Sequence, residues 1–467
     1  MITVSAIVLT AGLVAEATRG RLAAGSPNQV FTQVSTDTRT IAPGALFIAL
    51  QGDRFDGHAF VERAVAGGAA GVVLSALPAA SVGAAAVIVV SDTLRALQDL
   101  ARSVRRQAGA RIVAITGSAG KTTTKEVTAD LLATRYRVFR NRGNLNNHVG
   151  LPLSLLELVS RPDLGVVELG MNHEGEIRTL VGIAEPDVRV WTNVGDAHFG
   201  HFGSRAAVAR AKAEILEGAT SDTLVVSNAD DDLVSGHVQR SPARQVTFGF
   251  GQHASVRATR VEDRGFDGTS ADVETPQGTL RLNVPLAGRA QLTNVLAATA
   301  VALEFGIARD AIERGAAAIQ PVARRGAIRV LWNGARIVDD SYNASPSAVL
   351  AMLAALSATP VAGRRVAVLG EMLELGTSSR ELHDACGRAV AAAGVSELVV
   401  IGGEPADGLA DGAIAGGLSR AHVHRFADSA SAAREVQDLV AAGDLVLVKG
   451  SRGTRTDIVV DRLLGVA

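Results

Sequence analysis

The chain has 467 residues, 47% hydrophobic and 20% charged, with a net charge of −1. That length exceeds one ordinary core and predicts two or three domains, and the composition excludes a disordered chain. The near-neutral charge gives no ground for nucleic acid or an anionic membrane as partner. A single cysteine, Cys386, excludes an internal disulfide, fits a reducing compartment and is expected as a small buried residue. The N-terminus lacks a basic region and a cleavage site, and no run reaches the ~18 apolar residues of a membrane span. The expectation is a cytoplasmic protein with neither signal peptide nor span. Of the 46 basic residues only Lys121, Lys125, Lys212 and Lys449 are lysine. In a chain that otherwise uses arginine, a lysine points to a place where a guanidinium cannot substitute.

Residues 1–107 alternate apolar runs with glycine and proline turns. Strands are predicted at 34–39, 46–50, 71–74 and 87–90, and helices at 59–66 and 93–107. This is a small α/β domain without a catalytic cluster; its polar loop 53–58 is either solvated or ligand-binding. Residues 108–320 alternate strands and helices as a mostly parallel sheet requires. Strands are predicted at 136–139, 166–169, 188–194 and 224–226, with antiparallel edge strands over 245–285 and helices at 205–217 and 292–305. Glu168 stands at a strand's carboxyl end, the edge where open α/β sheets bind ligands. Four asparagines within 141–147 mark a loop, and the loop 195–202 carries His198. Residues 321–467 begin near the Arg324-Arg325 hinge. Strands at 365–370, 397–401 and 444–449, with helices between them, predict a second open sheet of doubly wound type.

The most specific stretch is 111–126. Ile112, Val113 and Ile115 make a β-branched strand buried on both faces. Gly117 and Gly120 bracket a tight turn whose N–H groups can point inward. Lys121 adds a cation, Thr122 a hydroxyl suited to Mg²⁺, and the following helix its positive end. Each of these favours a nucleoside triphosphate. Ile115 stands where the general P-loop pattern has glycine, so the loop is the shorter Thr-Gly-x-x-Gly-Lys-Thr form. Glu168 and Thr122 are oxygen ligands for Mg²⁺. Lys212 becomes a metal-binding carboxylate if CO₂ carbamylates it, a role closed to arginine; otherwise it is a solvated helix lysine.

Together these motifs resemble the Mur ligase family, ATP-dependent enzymes that add amino acids to the cell-wall nucleotide precursor. The resemblance covers essentially the whole chain. It implies an α/β protein of three domains: a small UDP-substrate domain (1–107), a central P-loop parallel sheet binding ATP (108–320) and a C-terminal doubly wound, Rossmann-like domain binding the incoming dipeptide (321–467). It implies ATP contacts at Thr116, Gly117, Ser118, Ala119, Gly120, Lys121, Thr122, Thr123, Asn294, Arg325, Asp340 and Asn343. Two Mg²⁺ ions are implied at Thr122, Glu168, His198 and carbamylated Lys212, with Lys121, Glu168, His198 and Lys212 catalytic. UDP-substrate contacts are implied at Ser35, Thr36, Asp37, Arg39, Asp56, His58, Asn146 and Asn147.

Within the family, three phrases resemble the branch that adds D-Ala-D-Ala to UDP-N-acetylmuramoyl-tripeptide in peptidoglycan synthesis, a pathway tied to cell shape and division. They are 339–346 (Asp-Asp-Ser-Tyr-Asn-Ala-Ser-Pro), 370–376 (Gly-Glu-Met-Leu-Glu-Leu-Gly) with His383, and 449–453 (Lys-Gly-Ser-Arg-Gly). The expected reaction runs through an acyl phosphate in a monomeric enzyme. The chain departs from the family pattern in three places. Ala290-Gln291 replaces a usual His-Asn, Arg324 a usual glycine, and no Met-Glu pair follows Gly453. The alternatives are a ligase adding another amino acid, folylpolyglutamate synthase included, or an ATP-driven regulatory switch.

Overall fold

In the computed structural model, which describes residues 6–52, 55–78, 82–195 and 202–466, the chain divides into two compact units. One comprises residues 1–115 and 135–189, the other 116–134 and 190–467.

The first unit opens with a five-stranded sheet in the order Arg21–Ala24, Ala86–Val89, Gly71–Leu74, Leu46–Ile48, Val34–Ser35. The first pair is antiparallel and the others parallel. Phe47, Val61, Val72, Leu74 and Val87 form its core. The helix Thr93–Ala108 is capped by Asp92, whose side chain accepts from the Arg95 N–H, and stops at Gly109 with φ 69°. Its buried residues Leu97, Leu100, Ala101 and Val104 recur at helical spacing. Further strands Arg111–Thr116, Leu164–Glu168 and Val138–Arg140 run parallel, with Leu164–Glu168 in the middle. From Ile112 to Thr116 the first of them is wholly buried, as its β-branched run predicts.

The second unit holds the strands Leu224–Asn228, Arg244–Gly249, Val256–Asp263, Thr269–Glu274 and Leu280–Val284 side by side in chain order. The antiparallel pairing expected across 245–285 holds only in part. Arg244–Gly249 pairs parallel to Leu224–Asn228, and only the last three strands pair antiparallel with one another. Alternation reveals a half-covered face, but not the direction of the neighbouring strand. The helix expected from 292 starts earlier, at Gly288, and ends at Glu304. The helix expected over 205–217 is α-helical from Arg205 to Ala213 and tightens to 3₁₀ over Glu214–Leu216.

The same unit contains a six-stranded sheet ordered Ala327–Val330, Arg336–Asp340, Leu445–Lys449, Arg365–Gly370, Glu397–Ile401, Val423–Phe426. All pairs are parallel except the first. Apolar clusters cover both faces, which is the doubly wound arrangement expected. Cys386 is buried in one of them, and burial pushes its thiol up to about 12. Among the described residues no helix is long and apolar enough to cross a membrane.

Candidate active site

The glycine loop 117–120 follows the strand that ends at Thr116. Gly117 has φ 153° and Gly120 φ 82°. A Cβ on Gly117 would overlap the Thr192 hydroxyl, and one on Gly120 the Asn294 amide oxygen. Glycine is therefore required at both points by space as well as by backbone. The Thr192 hydroxyl donates to Ala119 O at 2.8 Å. Asn193 grips the loop: Ser118 N–H donates to its backbone oxygen at 3.1 Å, and Ala119 N–H to its side-chain oxygen at 2.9 Å. Lys121 Nζ folds back onto Gly117 O at 2.7 Å and Ser118 O at 3.3 Å.

Thr122 is buried on the first turn of the helix Lys121–Ala133. Asn294 is buried beneath Gly120, where its oxygen accepts from Thr124 Oγ1 at 3.4 Å and its Nδ2 donates to Gln291 Oε1 at 3.0 Å. Gln291 continues into a cleft along the same helix, lined also by Thr123, Glu126, Ile319, Val322 and Arg325. The Arg325 guanidinium lies 4.1 Å over the Tyr342 ring. Lys212 is 1% exposed on the helix Arg205–Ala213. His198 lies outside the described residues.

In the first unit, Glu168 ends its strand 4% exposed. Asn146 Nδ2 donates to Glu168 Oε1 at 2.8 Å, and Glu168 N–H donates to Asn141 Oδ1 at 3.1 Å. Asn147 Oδ1 accepts from Gly150 N–H at 2.7 Å and so starts the helix Gly150–Leu155. The asparagine loop thus orients a carboxylate and caps a helix.

Three adjacent parallel strands of the N-terminal sheet deliver the remaining candidates to one edge. After Val34–Ser35, the Ser35 hydroxyl accepts from Asp37 N–H at 3.1 Å. Thr36 lies between them, and Arg39 clamps Asp37 through Nη2 at 2.6 Å. That clamp holds the Asp37 carboxyl down at about 2. Beyond Leu46–Ile48, Asp56 accepts from His58 Nδ1 at 2.6 Å. Just after Gly71–Leu74, Ser75 N–H donates to His58 Nε2 at 2.9 Å, which sets the tautomer.

In the C-terminal sheet, Asp340 and Lys449 end adjacent strands and form an ion pair, while the Asn343 carbonyl accepts from Lys449 Nζ at 2.9 Å. His383 is fully buried, accepts from Met372 N–H at 2.9 Å and donates from Nδ1 to Ser379 O at 2.7 Å. It pins the 370–376 loop, and burial lowers its basicity. Sequence reasoning missed Thr192, Asn193 and Ser75. Each stands at a strand end, which is the one signal that could have marked it. Among the described residues, no three His, Cys, Asp or Glu side chains gather as a metal site.

Three family models match the chain: "Mur ligase family, catalytic domain" over 30–105, "Mur ligase middle domain" over 115–302, and "Mur ligase, glutamate ligase domain" over 324–452. The UDP-N-acetylmuramoyl-tripeptide–D-alanyl-D-alanine ligase of Bacillus subtilis is 34% identical over 452 residues, 97% of each chain. A crystal structure of MurF from Acinetobacter baumannii superposes with TM-score 0.89 and 31% identity, covering 99% of this chain and 100% of that one. MurF ligase from Thermotoga maritima, solved in complex with ADP, gives TM-score 0.81 and 29% identity over 93% and 97% of the two chains.

Proposed function

This chain belongs to the Mur ligase family, and from that premise we propose that it joins D-alanyl-D-alanine to UDP-N-acetylmuramoyl-tripeptide, using ATP, in peptidoglycan precursor synthesis. The observation that carries the reading is the match along nearly the whole chain to relatives bearing that name.

The tripeptide's terminal carboxylate attacks the γ-phosphorus of ATP, and ADP leaves. The resulting acyl phosphate is then attacked by the dipeptide's amine, and phosphate leaves as the amide forms. Lys121 neutralises charge on the transferring phosphoryl group, and the amino end of the helix Lys121–Ala133 adds its dipole. A site closed to water protects the acyl phosphate from hydrolysis.

Two Mg²⁺ ions would be held by Thr122, Glu168, His198 and carbamylated Lys212, offsetting repulsion between two anionic substrates. The Thr122 hydroxyl and Glu168 carboxylate are the hard oxygen donors Mg²⁺ takes. An unmodified Lys212 does not fit, because an ammonium has no lone pair; a carbamate does. The Asp56–His58–Ser75 group and Ser35–Arg39 belong to the UDP end, and Gln291 and Arg325 to the nucleotide cleft. This reading keeps the three domains at 1–107, 108–320 and 321–467, the last receiving the dipeptide, in a cytoplasmic monomer.

Phosphate release from ATP, measured with one substrate omitted at a time, tests the proposal. Release that requires both the UDP-tripeptide and D-Ala-D-Ala is expected. Release with a different amine overturns the dipeptide assignment, and release with neither substrate overturns the ligase.

A further inference from the structure

Arg324 stands where the family pattern has glycine, and its backbone holds a glycine's conformation, φ 60°. A residue with a Cβ is strained there, so other contacts must hold it. Its carbonyl accepts the Tyr342 N–H at 3.1 Å. Its Nη2 donates to both carboxylate oxygens of Asp461, each at 3.0 Å. Its Nη1 reaches Ser341 Oγ at 3.4 Å, and that hydroxyl donates to Asp339 at 2.6 Å. Gly326 N–H then donates to Asp339 O at 2.9 Å. The segment is stitched on both sides of Arg325 to the strand Arg336–Asp340 and its following loop. Asp461 lies on the helix Asp457–Leu463, far away in sequence.

Tyr342 is held twice by neighbouring residues. Its N–H is bound to Arg324, and its ring lies under the Arg325 guanidinium. Arg325 in turn lines the cleft beside the phosphate-loop helix. If the turn at Arg324 relaxed to the right-handed region, the direction of the chain into Arg325 would change and both holds on Tyr342 would be lost.

We infer that Arg324, through its ion pair with Asp461, is a positioning residue that fixes the left-handed turn presenting the Arg325 guanidinium to the nucleotide cleft. This rests on the reading of that cleft as part of the ATP site. The pair is 33% and 34% exposed, so as an isolated ion pair it is modest. Its effect is orientational, and therefore belongs in ATP binding more than in the turnover of bound ATP.

The test uses two variants of the full chain. Arg324→Ala keeps the strained Cβ but lacks the guanidinium. Asp461→Asn keeps the arginine and removes its counter-charge. In phosphate release with both co-substrates saturating, each variant is expected to raise KM for ATP about five-fold while kcat stays within about two-fold. The double variant should be no worse than the stronger single one, because both remove the same interaction. Asp461→Glu should restore most of the affinity. A purely structural role would lower the thermal midpoint and kcat without moving KM, and that result overturns the inference, as does an unchanged KM in both variants. If the wild-type chain releases no phosphate with these substrates, the ligase reading fails separately. Calorimetric titration with ATP then decides the present inference: weaker binding by Arg324→Ala supports it, and equal binding overturns it.

Discussion

Lys449 Nζ donates to Asp340 Oδ2 at 2.5 Å, between strand ends that stand in register. The two side chains are 4% and 14% exposed. Burial raises the Asp340 carboxyl above its ordinary value, with Lys449 opposing it. Lys449→Met leaves that carboxyl buried without its cation and should cost about 3–5 kcal/mol at neutral pH, measured by urea unfolding. A carboxyl with a raised folded value stabilises most below its unfolded value and loses that contribution as pH rises through the folded one. The variant raises the folded value further, so its deficit should be larger at neutral pH than in acid. A deficit that does not change with pH would count against the pairing.

Lys121 folds onto the carbonyls of its own loop, and under the proposed function it exchanges them for phosphate oxygens of ATP. Lys121→Ala should lower turnover on the order of 10²-fold or more, as loss of a charge-stabilising donor does. Steady-state phosphate release measures it, and near-normal turnover would remove the phosphate-loop assignment.

Lys212 is almost wholly buried in its helix. Lys212→Ala should be nearly inactive and should regain part of its turnover when short-chain carboxylic acids are added, since these can stand in for a carbamate. Activity that is full without such acids would return Lys212 to a structural role.

Glu185 takes Arg106 Nη2 and Arg102 Nη2 on one oxygen, each at 2.6 Å. Arg106 chiefly, then Arg102, hold its carboxyl at about 2 against an ordinary 4.5. A lowered folded value gives stability that is present above the unfolded value and lost as pH falls through the folded one. Glu185→Gln should therefore cost about 1–2 kcal/mol at neutral pH, discounted for partial exposure. The cost should shrink as pH falls from 4.5 toward about 2. Denaturant unfolding at neutral pH and at about pH 3 would show it; equal deficits at both would contradict the assignment.

Much of this protein is local and was legible in the sequence. The strand, glycine turn and helix at 111–126 follow from β-branched residues, two glycines and two lysines within sixteen positions. The parallel strands announce themselves as short apolar runs, because strands covered on both faces need no polar alternation. The rarity of lysine was informative too: Lys125, Lys212 and Lys449 are all buried. What only the tertiary structure decided is which strand ends meet. The Lys449–Asp340 pair spans 109 positions, and the grip of Asn193 on Ala119 spans 74. Ser75 reaches His58 because the strands that precede them, Gly71–Leu74 and Leu46–Ile48, are neighbours. Strand order and register set these encounters, and they depend on how whole faces pack, which no local window of residues contains. The left-handed turn at Arg324 belongs with them: its side chain disfavours that backbone, and the distant Asp461 holds it there.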